Sequence, residues 1–179
     1  MYASVYEHGI LGPLTIASDG TSITGLWMEG QKYFGSGFAG ELERCDGMPV
    51  LERACEWLDR YFAGDPLPID ALPLNPQGTA FQRRVWSALA QIPYGQLRTY
   101  ADIADQIARE DGKERGSARA VGTANGRNPI SIIIPCHRVV GSDGSLTGYA
   151  GGIERKLWLL EHEGVDTSGL YVPKQGTAL

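Results

Sequence analysis

Residues 132–140 of the chain read Ile132-Ile133-Ile134-Pro135-Cys136-His137-Arg138-Val139-Val140. Three consecutive β-branched residues predict a buried strand, and Pro135 ends it because proline has no amide hydrogen to donate to a sheet. A thiol reacts as its thiolate, and basic or cationic neighbours such as His137 and Arg138 lower its pKa. Cys136 is therefore either a reactive nucleophile or an inert buried cysteine at a strand end, and its surroundings must decide between the two.

The composition of the chain limits the kind of protein it can be. Its 179 residues, of which 42% are hydrophobic, suit one domain or two small ones. No run of about 18 apolar residues occurs and the N-terminus lacks a basic start, so we expect neither a membrane span nor a signal peptide. Three scattered cysteines argue against a disulfide framework and indicate a cytoplasmic protein, and the sparse histidines predict no metal site.

Charge is distributed unevenly along the chain. The net charge is −5, which by itself argues against a nucleic-acid partner. Residues 1–82 carry four Lys and Arg against eleven Asp and Glu, whereas residues 83–163 carry eleven against nine. A polyanionic partner would therefore dock on the arginine-rich second half.

The first half of the chain predicts β-structure followed by one helix. Residues 14–17 and 23–28 are strand candidates with a turn between them, and the glycine-rich residues 34–40 predict a flexible loop rather than a phosphate site. Helical spacing predicts a helix over residues 49–63, and four prolines within residues 65–78 indicate a linker. The side chains predicted to form the buried face of that helix are Leu51, Cys55, Leu58 and Phe62.

The second half predicts several short, capped helices. Thr79 and Gln82 resemble a capping box, Thr99 is an N-cap for a helix over residues 100–108, and Ser117 is an N-cap for residues 118–125. A last helix is predicted over residues 153–163, with a tail that frays after Val165. The side chains predicted to face inward are Phe81, Val85, Leu89, Ile92, Ile103, Ala104, Ile107, Ile153, Leu157 and Leu160.

The helix predicted over residues 118–125 has unusually small side chains. Together with the helix before it, it matches a helix-turn-helix outline, in which small residues let the backbone approach a nucleic acid closely. A helix packed tightly against a neighbour explains the same pattern equally well. The charged residues 109–116 between the two helices predict a solvated loop.

Several of these segments resemble the O6-alkylguanine-DNA alkyltransferases, also called methylated-DNA–protein-cysteine methyltransferases. The run from Pro135 to Val139 is the signature of that family. Further matching segments occur in family order and cover residues 79–164 densely, namely residues 81–86, 92–95, 99–104, 118–122, 128–129, 148–152 and 159–164. The first half resembles the family more loosely, through Gly12-Pro13-Leu14 and the helix before the linker.

The resemblance implies a two-domain α+β and α/β fold. Residues 1–75 would form an N-terminal β-sheet with a flanking helix, similar to ribonuclease H. Residues 76–168 would form a mostly helical, winged helix-turn-helix domain that carries the active site, and residues 169–179 would be a tail.

The resemblance also implies roles for individual residues. Cys136 would accept the alkyl group, His137 would be its base through a bound water, Glu163 would hold the imidazole in the right tautomer, and Tyr100 would donate a hydrogen bond or proton to the departing purine. The implied substrate-binding and DNA-binding residues are Arg119, Asn128, Tyr149, Ala120, Gly122, Ser117 and Arg138.

Three of these residues have more specific implied roles. Arg119 would fill the space left in the base stack when the damaged nucleotide rotates out of the duplex. Asn128 would hold the helix-turn-helix against the active-site strand, and Tyr149 would line the base pocket. The helix over residues 118–125 would lie in the minor groove, where contacts read shape and phosphate more than sequence.

If His137 is to act on Cys136, their side chains must point to the same side of the backbone. Adjacent side chains on a regular strand point to opposite faces, so Cys136 and His137 must sit on a turn, which Pro135 makes possible. A nucleophile, a base and an orienting carboxylate then form a recognised activating relay. The sequence supplies these residue types but does not show the contact between His137 and Glu163.

The implied reaction is direct displacement at the alkyl carbon on guanine O6, with Cys136 as the nucleophile. The thioether product is stable, so the protein would act once, without a cofactor, as a monomer on double-stranded DNA that contains O6-alkylguanine. The resemblance implies O4-alkylthymine as a second substrate. The loop at residues 109–116 is longer than is common in the family and could alter DNA affinity, and the zinc ligands of some members are missing.

Two other functions compete with this interpretation. A thiol hydrolase would use Cys136 and His137 with an acid, but it leaves Arg119 and the helix-turn-helix outline unexplained. A DNA-binding regulator that recognises alkylated DNA would explain the two helices, but it gives no reason for the cysteine motif.

Overall fold

A computed structural model of the chain describes residues 1–36 and 40–173, and the chain divides into two units. The first unit comprises Met1–Gly78 together with Pro129–Ile133, and the second comprises Thr79–Asn128 together with the residues from Ile134 onward. Part of the predicted loop at residues 34–40, and the end of the predicted tail at residues 174–179, lie outside the described residues. No helix in the described part of the chain is long and apolar enough to cross a membrane.

The first unit is built on a four-stranded sheet in the order β3-β2-β1-β4. Its strands are β1 (Tyr2–His8), β2 (Gly12–Ser18), β3 (Ile23–Met28) and β4 (Glu43–Arg44), and only β4 runs parallel to its neighbour. The prediction of β2, β3 and the turn between them is confirmed, because the Asp19 carboxylate accepts hydrogen bonds from the backbone amides of Thr21 and Ser22. Strand β1 was not singled out, since its apolar and polar residues alternate only weakly.

Helix α1 (Pro49–Phe62) packs against the sheet. Its length matches the prediction, but its buried face is centred on Trp57 and Tyr61, whose rings stack 5.5 Å apart. Cys55 and Phe62 were predicted to lie on this face and are only half-buried. The large aromatic rings remove more apolar surface from water than Cys55 does, and they set the rotation of the helix.

The segment before the cysteine differs from the predicted strand. Ile130 forms a single bridge with Leu26, supported by the hydrogen bond from the Leu26 amide to the Pro129 carbonyl. Ile132 then adopts a φ of +68°, which a β-branched residue rarely adopts and which ends the pairing. The isoleucines are buried as predicted, but residues 132–134 are not a strand.

The described part of the second unit contains four α-helices: α2 (Ala80–Leu89), α3 (Tyr100–Glu110), α4 (Ala118–Asn125) and α5 (Ile153–His162). Two-residue strands β5 (Arg98–Thr99) and β6 (Val139–Val140) pair in parallel. The helix N-termini form as predicted, since capping boxes open α2 and α3 and the Ser117 hydroxyl accepts a hydrogen bond from the Ala120 amide. Phe81 departs from the prediction, because it lies in the first turn of α2 and is 38% exposed.

Close approach of the backbone explains the small residues of α4. The Trp86 indole donates a hydrogen bond to the Ala124 carbonyl, and Val121 and Ala124 are buried. Gly116, just before the helix, lies so near α3 that a Cβ there would be 2.0 Å from the Ala104 carbonyl oxygen. Ala118, Arg119 and Thr123 remain exposed on the other face. One face of α4 is therefore packed, and the opposite face is available to a partner.

The C-terminal segment is more ordered than predicted up to residue 173. Leu170 packs against a cluster of Val140, Leu146 and Leu160. The Leu146 amide donates to the Tyr171 carbonyl, and the Tyr171 amide donates to Gly144. The prediction that the chain frays after Val165 is therefore wrong for residues 166–171, because Leu170 packs against this cluster and Tyr171 gains backbone pairing.

Candidate active site

A short 3₁₀ turn, Cys136–Arg138, carries three consecutive buried side chains. Pro135 precedes it with φ −81° and ψ 63°, and the Arg138 amide donates to the Pro135 carbonyl at 3.0 Å. The turn lets neighbouring side chains point into the same region, which a strand would forbid. Cys136 and His137 therefore lie on a turn, as the sequence predicts.

The Cys136 thiol is buried and accepts a hydrogen bond from a polar side chain. The Asn128 side-chain amide donates to the Cys136 sulfur at 3.0 Å and to the Ile134 carbonyl at 2.8 Å. Burial raises the pKa of the Cys136 thiol to about 11, although the Asn128 hydrogen bond and the charge of Lys156 oppose the rise. The resting group at neutral pH is therefore a thiol, and it needs a base at the moment of reaction.

His137 and Glu163 are in direct contact. The Nε2 atom of His137 lies 2.6 Å from Oε1 of Glu163, and both side chains are fully buried. Glu163 follows α5 as its C-cap, and its Oε2 also accepts a hydrogen bond from the Gly95 amide at 3.1 Å. The structure thus brings together two residues that stand 26 positions apart in the sequence.

The protonation state of this pair follows from its surroundings. Burial opposes ionisation of Glu163, but the hydrogen bonds and charges of His137 and Arg138 outweigh it and hold its pKa far below the usual range. Burial lowers the pKa of His137, and this effect exceeds the opposing influence of Glu163. An ionised carboxylate only accepts hydrogen bonds, so His137 carries its proton on Nε2. Its Nδ1 is then unprotonated, and it has no partner among the described residues.

Tyr100, at the start of α3, is anchored to the loop before Tyr149. Its hydroxyl donates to the Thr147 carbonyl at 2.7 Å, and burial raises its pKa, so the phenol stays protonated. Gly148, at φ +68°, makes room for this contact, because a Cβ there would lie 2.6 Å from the Tyr100 hydroxyl oxygen.

Tyr149 is buried edge-on to the His137 ring, with 6.4 Å between the ring centroids. Its hydroxyl has no partner in the part of the chain that the structure describes.

An open cavity of about 700 Å³ lies between α4, Tyr100 and the loop at residues 141–148. Arg119 and Gly122 of α4 line one side of it, and Thr147 and Gly148 line the other. Ser117 is exposed at the start of α4, and Ala120 is half-buried. The predicted binding residues on α4 are therefore on or beside the exposed face of that helix.

Arg138 requires a correction. The sequence groups it with the substrate-binding and DNA-binding residues, yet only 6% of its side chain is exposed. Its guanidinium donates to both carboxylate oxygens of Glu163 and to the Ile92 carbonyl. Buried donors that are already paired are not available to DNA, so Arg138 belongs to the His137–Glu163 group instead.

Sequence reasoning missed two side chains that support the site. The Asn125 side-chain amide donates to the carbonyls of Cys136 and Gly148, and so connects α4 to the thiol turn. Lys156 is buried and donates to the carbonyls of Val139 and Thr147, and burial lowers its pKa to about 8. No pattern in the sequence marks either residue, because a lysine or asparagine on a short helix usually faces water.

Among the residues that the structure describes, no group of three or more His, Cys, Asp and Glu side chains is placed to hold a metal ion.

Comparison with known proteins extends over both units. Residues 80–165 match the family described as the 6-O-methylguanine DNA methyltransferase DNA binding domain, and residues 1–76 match the ribonuclease-like domain of the same proteins. The methylated-DNA–protein-cysteine methyltransferase of Mycobacterium bovis is 49% identical over 156 residues, which are 86% of this chain and 87% of the relative. That of Haemophilus influenzae is 42% identical over 163 residues, covering 91% and 86%.

Solved structures agree with the sequence relatives. The crystal structure of Mycobacterium tuberculosis OGT in complex with DNA has a TM-score of 0.78 and 44% identity, and the match covers 95% of each chain. The O6-methylguanine-DNA methyltransferase of Pyrococcus kodakaraensis has a TM-score of 0.60 and 25% identity, covering 92% of this chain and 99% of that one. With a ribonuclease-like first domain, a DNA-binding second domain and a Pro-Cys-His-Arg turn, the chain belongs to the 6-O-methylguanine DNA methyltransferase family.

Proposed function

We propose that the chain repairs DNA by irreversible transfer of a methyl or larger alkyl group from guanine O6 to Cys136. One observation carries the assignment to this residue: Cys136 is followed directly by a histidine whose Nε2 contacts Glu163 and whose Nδ1 has no partner among the described residues. The relatives named above carry the same activity in their names, and the Mycobacterium tuberculosis relative was solved with DNA.

The proton and electron balance of the reaction is simple. His137 takes the thiol proton on Nδ1, across a bound water, as the Cys136 sulfur attacks the alkyl carbon. The new sulfur–carbon bond forms while the carbon–O6 bond breaks, and the bonding electrons go to the guanine. Tyr100, which is protonated at neutral pH, would turn its hydroxyl from the Thr147 carbonyl to the departing purine and give it a proton in place of the alkyl group. Water then returns a proton to Tyr100 and takes the thiol proton from His137, so that overall the sulfur loses one proton and the guanine gains one. The thioether does not regenerate the thiol, so each protein molecule acts once and needs no cofactor.

We infer that α3 and α4 act as a winged helix-turn-helix and that α4 enters the minor groove. Support comes from the exposed face of α4, where Arg119 and Thr123 border the open cavity. Small residues on this face, such as Ala118 and Gly122, leave the backbone accessible to a shallow groove. Arg119 would occupy the space left by the flipped nucleotide, and Tyr149 and the cavity next to Tyr100 would receive the base.

The proposal also includes the domain boundaries, the cellular compartment and the oligomeric state. Residues 1–75 and 76–168 would be the two domains, and the acidic first domain would face away from DNA. A single-use thiol must stay reduced until it meets the lesion, so a reducing compartment such as the cytoplasm suits the protein. The protein would bind double-stranded DNA as a monomer.

The function is tested by mass spectrometry on the wild-type protein. Incubation with duplex DNA that contains O6-methylguanine should add one methyl group per protein molecule, located on the peptide that contains Cys136. Cys45 and Cys55, which are half-exposed in the first unit, are internal controls and should stay unmodified. A methyl group on Cys45 or Cys55 would contradict the assignment of the acceptor, and many turnovers per molecule would favour a hydrolase instead.

Replacing Arg119 by alanine should weaken repair of duplex DNA more than reaction with a free alkylated base. Flipping a nucleotide costs a few kcal/mol, and loss of the side chain that fills the gap should slow duplex repair by about 10–100-fold. The reaction with free O6-benzylguanine should change by less than about twofold, because a free base needs no flipping. The rates can be compared in single-turnover assays.

Arg44→Ala is a matched control, since it removes one exposed positive charge from a residue of the first unit that does not line the cavity. Equal losses on duplex DNA and on the free base would argue against the role of Arg119 in the stack.

A further inference from the structure

We propose that Arg138 is a positioning residue of the relay, which acts through Glu163 to keep the His137 ring uncharged and its Nδ1 free to take the thiol proton. The inference rests on the proposed roles of Cys136 and His137 and adds a third member to the motif. It gives a buried function to a residue that the family resemblance places among the DNA-binding residues.

Arg138 and Glu163 form a bidentate salt bridge. Nε of Arg138 donates to Oε2 at 2.7 Å and Nη2 donates to Oε1 at 3.0 Å, which is the planar fork that a guanidinium forms with a carboxylate. Nη1 donates to the Ile92 carbonyl at 2.6 Å, and the guanidinium lies 5.7 Å from the centroid of the Tyr94 ring. The cation is therefore fixed in one orientation and cannot leave Glu163 for solvent.

The charges of the group then select the state of the histidine. Glu163 supplies one negative charge, and Arg138 supplies one permanent positive charge next to it. With these two balanced, a proton on His137 would add an unbalanced positive charge to a fully buried site, which is costly. If Arg138 were absent, the single negative charge would pair with a protonated His137 instead. The arginine thus prevents Glu163 from turning its partner into an imidazolium, which could not accept the thiol proton.

The other groups around the histidine do not reverse this balance. Lys156 is a second cation, and its charge lowers the pKa of His137 in the same direction as that of Arg138. The two neighbouring phenols stay neutral, since burial raises the pKa of both Tyr149 and Tyr94. The titratable and charged groups that face the His137–Glu163 pair are Cys136, Arg138, Lys156, Tyr94 and Tyr149.

The first measurement uses the wild-type protein and needs no DNA. The chain has three histidines, so nitrogen-15 NMR of the imidazole rings can assign His137 against His8 and His162. We expect His137 to be protonated on Nε2 and unprotonated on Nδ1, and to stay uncharged as the pH falls through 6.5, the ordinary value for an imidazole. A His137 ring that becomes protonated at or above pH 6.5 would overturn the proposal, whether or not Cys136 accepts an alkyl group.

The second measurement compares two variants. Arg138→Met removes the charge while keeping an apolar stem, and it should move the acid limb of the alkyl-transfer rate to higher pH by at least about one unit, a tenfold extra loss at pH 6.5 relative to pH 8.5. Arg138→Lys keeps the charge but loses the fork, so its acid limb should stay within about half a unit of the wild type even though its overall rate falls.

The matched control is Arg84→Met. Arg84 also contacts two carboxylates, those of Glu110 and Asp111, but its side chain is 37% exposed. Its loss should leave the pH profile unchanged. If Arg138→Met lowered the rate equally at every pH, Arg138 would be a purely structural residue and the proposal would fail. If that variant did not fold, the wild-type NMR titration would still decide the question.

Discussion

Replacing Cys136 by serine should abolish alkyl transfer and leave DNA binding nearly intact. A serine hydroxyl is of similar size and can still accept the hydrogen bond of Asn128, so the turn should keep its shape. His137 cannot produce an alkoxide as readily as a thiolate, because a hydroxyl is far less acidic than a thiol. We expect no methylated protein in a single-turnover assay that follows the wild type to completion, and an affinity for alkylated duplex DNA within about threefold of the wild type.

Two further variants are the controls for this experiment. Cys45→Ser and Cys55→Ser remove the other thiols of the chain, both half-exposed in the first unit, and each should transfer a full equivalent of methyl groups. Methylated protein from Cys136→Ser would contradict the proposed acceptor. If the wild-type protein bound alkylated DNA but transferred no alkyl group to itself, the result would instead support a protein that only recognises alkylated DNA.

The local structure of this chain could be predicted well because its signals are local. Thr79, Thr99 and Ser117 cap their helices as their side chains predict, since the hydroxyl and the amide it accepts from are only three residues apart. The turn between β2 and β3 forms for the same reason, with Asp19 accepting from the next amides. Burial was also predicted for most apolar side chains, because it depends on the period of the pattern.

Predictions failed where tertiary contacts overrode a local preference. Three β-branched residues favour a strand, yet Ile132 lies at a positive φ, and burial alone cannot distinguish the two conformations. The face of α1 was misassigned because Trp57 and Tyr61 outweigh Cys55 in buried area. The segment after Val165 looks like a fraying tail, and only the pairing of Tyr171 with residues 144–146 orders it.

The active site shows the limit of sequence reasoning most clearly. Its residue types were predicted, and the turn at Cys136 followed from the geometry of adjacent side chains. The partner of His137 was supplied only by the family resemblance, because nothing in the pattern connects it to a carboxylate 26 residues later. The resemblance placed Arg138 with the DNA-binding residues, and only the structure reveals that its guanidinium forms a bidentate contact with Glu163.

Replacing Glu163 by glutamine should damage both the reaction and the fold. Glutamine removes the charge that Arg138 needs, and breaking one side of a buried ion pair lowers the free energy of unfolding by about 3–5 kcal/mol. His137 also loses the acceptor that fixes its tautomer, so the transfer rate should fall by about 10²–10⁴-fold, the range for a displaced general base. The comparison variant is Glu161→Gln, an exposed carboxylate on the same helix, which should change the free energy of unfolding by less than about 0.5 kcal/mol.

The pH dependence of unfolding distinguishes the contribution that the charge of Glu163 makes to stability from the contribution of its packing. Because its pKa in the folded protein lies below the ordinary value of 4.5, ionised Glu163 contributes stability that is fully present above pH 4.5 and is lost as the pH falls further. Glutamine does not titrate, so the gap in unfolding free energy between the wild type and Glu163→Gln should be full at pH 7 and should narrow between pH 4.5 and pH 3. Urea titrations at pH 7, 5 and 3.5 would measure it. A gap that stays constant over this range would mean that Glu163 stabilises the site by packing rather than by its charge, and the charge balance assigned to Arg138 and His137 would then lose its basis.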